Sequence, residues 1–426
     1  MRIEMTPLLL TAALSAGIVL GAEPVHPPRA APPPSETSCV SCHSQLDGAA
    51  LEPVKRLEQD VHFSKGLSCH DCHGGNPWAG ADGDPDAAHD VSKGWTGKPD
   101  RLAIPDFCAK CHAQAPFMKR FNPQARVDQL SEYRTSVHGK LNAAGDKRTA
   151  VCVDCHGVHG IRRVGDPQAS VYPVNLAKTC ARCHSDATLM ASFGIPTRQH
   201  DDYMTSVHAK ALYEKGDISA PTCNDCHGSH GATPPGVAGV ANVCGSCHGR
   251  EATLFREVEA KRKLDLEPCI QCLMCHGNHA IRTPVDSMIG VGPESTCTGC
   301  HAAGEPGYKA SEQMADLLIK LQGRLDEASL LLDDAERAGI EVSPDRFALR
   351  TAKDELIESK VLVHSFDMER FAATATRGIA SADEGVAAGH RAFAELRTRR
   401  TGLVLSLIVI FTVIISLGLY IRRIEK

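Results

Sequence analysis

Phenylalanine, tyrosine and tryptophan together make up only 4% of this 426-residue chain. The length would suit two or three ordinary domains, but so few rings leave little material for ordinary apolar cores. A strong net charge is missing too. The 46 Lys and Arg stand against 51 Asp and Glu, and a formal net of -5 is too small to point to a nucleic-acid partner. What the chain has in excess is cysteine, with 19 residues, and histidine, with 21. Its buried apolar bulk must therefore come from something other than its own side chains.

Eighteen of the cysteines fall into nine copies of Cys-x-x-Cys-His. In chain order these are Cys39-Cys42-His43, Cys69-Cys72-His73, Cys108-Cys111-His112, Cys152-Cys155-His156 and Cys180-Cys183-His184. Then follow Cys223-Cys226-His227, Cys244-Cys247-His248, Cys272-Cys275-His276 and Cys297-Cys300-His301. This is the attachment motif of c-type haem. Two intervening residues put both thiols on one side of a tight turn, where they can add to the two vinyl groups of one porphyrin. The histidine directly after the second cysteine then reaches the iron as proximal ligand. Zinc ribbons and disulfides also use paired cysteines, but neither requires a histidine at that position nine times over. Nine covalently attached haem c groups are expected, and they supply the missing apolar bulk. Cys269 is left over, in Cys269-x-x-Cys272-x-x-Cys275-His276. Only the second pair has its histidine, so Cys269 reads as a buried free thiol, with a redox or ligand role as the alternative.

The motifs form a repeat, one solitary copy followed by four pairs. In the clearest copies, Ser136-Val137-His138 leads to Cys152-x-Asp-Cys155-His156-Gly-Val-His159, and Ser206-Val207-His208 leads to Cys223-x-Asp-Cys226-His227-Gly-Ser-His230. A plainer motif follows each, at Cys180 and Cys244. A worn copy runs through Val61-His62 to Cys69, and a later one keeps His276-Gly-Asn-His279 but lacks the Ser-Val-His element. Outside the nine motifs and His26 eleven histidines remain, enough to place a second histidine on every iron. Recurrence at a fixed place marks His62, His138 and His208, which precede a pair, and His159, His230 and His279, which follow a motif by three residues. These six are the expected distal ligands. His70, His89, His200, His364 and His390 are open either way, and which histidine serves which haem does not follow from the sequence. Residues 39–301 give about 29 residues to each motif. Short helices carrying the motifs, long irregular loops such as Gly74 to Pro99, and almost no sheet are expected.

Both ends carry membrane signals. An apolar run from Pro7 to Leu20 follows Arg2 and ends at the small residues Gly21-Ala22, which reads as a secretory signal peptide over residues 1–22. A proline-rich linker covers residues 23–38, ahead of the haem domain at 39–307. At the other end, Gly402 to Ile421 is an uncharged apolar stretch bounded by Arg399-Arg400 and Arg422-Arg423. Twenty helical residues span about 30 Å, one hydrocarbon thickness. Basic residues on both flanks leave the orientation to the signal peptide, which sends the bulk of the chain out of the cytoplasm and leaves the tail at 422–426 inside.

Between the last motif and the span, residues 308–400 contain no cysteine and few prolines. Leu317, Leu318, Leu321, Leu325 and Leu332 recur at helical spacing, Gly339 ends that helix, and Ser343-Pro344 starts a second one running towards Arg400. The fold class expected is mostly α and irregular: a haem-packed module with little β, then a helical hairpin and one C-terminal transmembrane helix. His364 and His390 on the second helix are candidates to clamp this arm onto the module.

Over residues 39 to about 301 the Cys-x-x-Cys-His-Gly-x-His repeats with Ser-Val-His elements resemble the cytochrome c3-like and doubled-CxxCH multihaem cytochromes. The resemblance implies a periplasmic electron carrier or a subunit of a quinol-oxidising or respiratory reductase complex. The long helices after the last motif also resemble the pentahaem nitrite reductase and octahaem hydroxylamine oxidoreductase group. The lysine-ended motif of the nitrite reductases is absent, however, since all nine copies end in histidine. The function expected is electron relay rather than substrate conversion. A nonahaem c-type cytochrome, anchored by one span in the cytoplasmic membrane, carries electrons between a quinol-linked membrane donor and a periplasmic acceptor. The alternative is a reductase or oxidase of a small nitrogen or sulfur species at one open haem.

Overall fold

The computed structural model describes residues 34–79, 84–234, 239–258 and 272–425. The expected signal peptide, residues 23–33 of the expected linker, and Cys269 lie outside them. The described chain is α-helical and irregular, with no strand. It divides into two compact units: Met1–Asp100 with His159–Ile161, and Arg101–Val158 with Arg162–Lys426.

The helices that bear on the site are short. Those of the first unit are α1 (Ser38–His43) and α2 (Cys69–His73). In the second unit come α3 (Ile104–His112), α4 (Val137–Ala143), α5 (Cys152–His156), α6 (Pro173–His184), α7 (Val207–Tyr213), α8 (Cys223–His227), α9 (Gly249–Glu257) and α10 (Cys272–His276). Seven motifs thus sit at the ends of α-helices, and those at Cys244 and Cys297 sit on 3₁₀ turns.

Local chemistry sets these helices. The aspartate inside Cys-x-Asp-Cys reaches back to the backbone N–H of the residue before the helix. Asp71 accepts from Ser68 N at 2.6 Å, Asp154 from Val151 N at 2.7 Å and Asp225 from Thr222 N at 2.8 Å. The glycine after the histidine stops the helix with positive φ, +71° at Gly74 and +85° at Gly157. At Gly74 a Cβ would also stand 2.1 Å from the Gly94 carbonyl oxygen, so no other residue fits. Of the Gly74 to Pro99 loop, the described part is stiffened by single turns at Pro85–Ala88 and Val91–Lys93.

The C-terminal third is built differently. Helix α11 (Pro306–Arg337), α12 (Ser343–Leu362) and α13 (Met368–Ile424) pack side by side. Leu318, Leu321, Leu325 and Leu332 of α11 are buried against Leu349, Ala352 and Leu356 of α12 and Phe371, Ala375 and Ile379 of α13. Small residues set the spacing: a Cβ on Gly378 would meet Leu321, one on Gly385 would meet Leu349 and Ala328, and one on Gly389 would meet Leu331. These contacts make α13 parallel to α11 and antiparallel to α12. The expected hairpin is α11–α12, but the second helix does not run unbroken to Arg400. Phe366, with φ +51°, turns the chain, and Asp367 caps a third helix by accepting from Arg370 N at 3.0 Å. From Thr401 onward every described residue of α13 is exposed, and this stretch is long and apolar enough to cross a membrane.

Candidate functional site

Seven of the nine motif histidines face a second histidine ring across a nearly constant gap. In the first unit His43 faces His89 and His73 faces His159, each at 6.2 Å between ring centroids. In the second unit His156 faces His230 at 6.2 Å, His184 faces His138 at 6.1 Å and His227 faces His279 at 5.9 Å. His248 faces His208 at 6.4 Å and His276 faces His364 at 6.1 Å.

The distances cluster but the orientations do not, with interplanar angles from 10° for His156–His230 to 87° for His43–His89. Rings that simply pack on one another favour offset-stacked or edge-to-face orientations. A fixed separation with free rotation is what two axial ligands of one metal show. Metal–nitrogen bonds of about 2.0–2.1 Å, plus about 1.1 Å from nitrogen to ring centre on each side, require about 6.3 Å. The residues therefore fit an iron with two axial imidazoles. Nothing resembling a zinc cage competes, because no three of His, Cys, Asp or Glu converge on a cation position among the described residues. The eighteen motif cysteines are all free thiols.

Hydrogen bonds at Nδ1 leave Nε2 free to ligate. His43 Nδ1 lies 3.0 Å from Ala50 O, His73 Nδ1 2.8 Å from Gly97 O, and His364 Nδ1 2.9 Å from Val361 O. Each carbonyl can only accept, so each ring carries its proton on Nδ1. His62 is held the same way by the Asp60 carboxylate at 3.1 Å. Burial pushes the pKa of His138, His156, His159, His208, His227 and His276 below the usual histidine range, and the facing ring adds to it. These imidazoles are held neutral, the form that binds metal.

The Ser-Val-His element owes its recurrence to helix starts. Ser136 Oγ accepts from Gly139 N and Ser206 Oγ from Ala209 N, both at 3.0 Å, placing His138 and His208 in the first turns of α4 and α7. In the worn copy Asp60 takes the serine's place, accepting from His62 N at 2.9 Å. The N–H of the residue before the histidine donates to the loop that carries the other kind of facing histidine: Val61 N to Ile161 O and Val207 N to Ile281 O, each at 2.7 Å.

Numbering the motifs from one to nine, consecutive motifs touch through their first cysteines. The thiols of Cys39 and Cys69, Cys108 and Cys152, Cys180 and Cys223, and Cys244 and Cys272 are hydrogen-bonded to one another. Motifs one and two, three and four, five and six, and seven and eight are thereby joined, which is offset by one from the pairing that the sequence repeat suggests. Cys155 also feels the charge of Cys183, Cys226 that of Cys247, and Cys275 that of Cys297 and Cys300, so motifs four and five, six and seven, and eight and nine lie near one another as well.

Of the six recurrent histidines, His138, His159, His208, His230 and His279 face a motif histidine, and His62 is oriented on Asp60. His89 and His364 also face one, a role that no recurrence in the sequence marked. His70 lies beside Asp71, His200 beside Asp201, and His390 is exposed on α13. His390 stands level with Leu331, at the end of the three-helix bundle away from the motifs, so it cannot clamp the arm. The aspartates of Cys-x-Asp-Cys were the functional residues that motif reading passed over; their spacing from the helix start was the available signal. The chain matches no protein-family model, no curated protein and no solved structure.

Proposed function

We propose that this chain is a membrane-anchored nonahaem c-type cytochrome that relays electrons outside the cytoplasm. The observation that carries the reading is the recurrence of facing histidines at 5.9–6.4 Å behind Cys-x-x-Cys-His motifs whose cysteines touch from one motif to the next. When bound, haem c supplies an iron that cycles between ferrous and ferric states, at the low end of the haem range when both axial ligands are histidine. The side chains do the rest. The paired imidazoles are the residues that would hold the iron from its two sides. Carbonyls at Nδ1 fix the ring tautomers. The paired first cysteines are the residues that would hold neighbouring haems by thioether links, and their closeness favours transfer between those neighbours.

The apolar end of α13 is the anchor, and the signal peptide read from residues 1–22 puts the haem domain in the periplasm. Gly402, where the span begins, lies about 50 Å along α13 from Met368, beside His364. That separation favours a donor standing off the bilayer, a quinol-oxidising partner subunit, over direct reduction by quinol within the membrane. The acceptor is a periplasmic redox protein. The test is haem and iron content of the full chain, made in a host that matures c-type cytochromes. Nine covalent haems per chain, all reducible in a redox titration, are expected. A count well short of nine, or stoichiometric zinc, overturns the reading.

A further inference from the structure

Over motifs two and four to eight the facing histidines follow a rule that can be carried on to motif nine. Motifs two, four and six face the histidine that follows the next even motif by three residues: His73 with His159, His156 with His230, His227 with His279. Motif eight has no such successor and takes His364 from beyond α12. Motifs five and seven take theirs from the Ser-Val-His helix ahead of the preceding even motif: His184 with His138, His248 with His208. Continued to motif nine, the rule calls for a histidine between motif seven and motif eight. Residues 249–271 contain none, and α9 occupies the start of that segment.

The surroundings of His301 agree. Its ring lies against the first turn of α11, where a Cβ on Gly307 would come within 2.4 Å of it, and its side chain is 48% exposed. Among the described residues no histidine ring faces it. Its Nδ1 lies 3.6 Å from the Glu305 carboxylate, which is itself fixed by accepting from Ala302 N at 3.0 Å. His43 and His73 have backbone carbonyls at the same place. A carboxylate behind a ligating histidine raises the basicity of that ligand. The loop leading to motif nine is also held in place, because Ser311 Oγ both accepts from Gly290 N and donates to Gly290 O, each at 2.8 Å.

Resting on the haem reading above, we infer that the haem of Cys297, Cys300 and His301 is open on the face opposite His301. It is the binding site for a small exogenous ligand that donates a lone pair. Carbon monoxide is the probe for the ferrous state and cyanide for the ferric.

The experiment uses the full chain in detergent, with haems counted in the same sample. Nine haems with one high-spin ferric signal, and one carbon monoxide bound per chain after reduction, are expected. The double variant Cys297→Ala/Cys300→Ala should lose one haem and all carbon monoxide binding. Glu305→Gln supplies a second readout that separates loss of the site from misfolding: nine haems retained, with the iron–histidine stretching band of the five-coordinate ferrous haem moved to lower frequency. Nine haems that are all low-spin and bind no carbon monoxide overturn the inference and leave the relay standing. Carbon monoxide binding that survives loss of motif nine, or a band that Glu305→Gln does not move, places the open site elsewhere and also overturns it. A chain without haem overturns the underlying reading instead.

Discussion

The three-helix bundle and the motif region before it are held together by different means. In the bundle Leu318, Leu321, Leu332 and Phe371 are at most 1% exposed and form one continuous core. In the motif region the second cluster of buried side chains amounts to Ala177, Tyr203 and Ala209. Each fully buried Leu or Phe contributes about 1.5–3 kcal/mol, so the bundle accounts for its own stability. The motif region, spread over far more residues, has capped single-turn helices and histidines facing one another across gaps. A region with so small a core of its own is what the proposed haems would stabilise.

That contrast sets the order of expected effects. Expression in a host without c-type haem maturation should leave the motif region open to protease while the bundle of α11 to α13 survives as a resistant fragment. Equal resistance of both regions, read by limited proteolysis and mass spectrometry, would break the comparison. Within the bundle, Leu321→Ala should cost about 2–5 kcal/mol by chemical denaturation, because the leucine is fully buried. The same substitution should leave the haem count unchanged. In the motif region, His230→Ala should turn one low-spin haem high-spin, since His230 alone faces His156, and electron paramagnetic resonance should show the conversion. An unchanged spectrum would mean that His230 merely packs. The smallest effect is expected at a cap: Ser206→Ala should cost about 1 kcal/mol of local stability. It should also loosen His208 two residues on, detectable as faster amide exchange in α7 and a broadened low-spin signal.

How much of this was legible beforehand differs between the two regions as well. The bundle's first helix could be read from the spacing of its leucines, because helical periodicity is local. Its third helix could not, because the break at Phe366 depends on a single left-handed residue in a stretch of helix-forming composition. In the motif region the fixed offsets of His138, His159, His208, His230 and His279 were visible. His89 and His364 were not, because neither recurs: His89 belongs to the first motif, which has no counterpart, and His364 substitutes for a repeat that the chain does not contain. Cys-x-Asp-Cys carried a helix signal in plain view, an aspartate at the third helical position that reaches back to the N–H before the helix.

The proposed attachment chemistry rests on the residues themselves. A haem motif is five consecutive positions, a cap is three or four, and a membrane span is twenty uncharged residues in a row, so each is complete in the local order of the chain. Partnership across the gaps is long-range. His73 meets His159 eighty-six positions later, and His276 meets a histidine beyond α12, because the repeats interlock and the bundle folds back. Only packing in three dimensions decided which cysteines touch, which histidine faces which, and that His301 alone among the second unit's later motifs stands beside a glutamate with no ring opposite it.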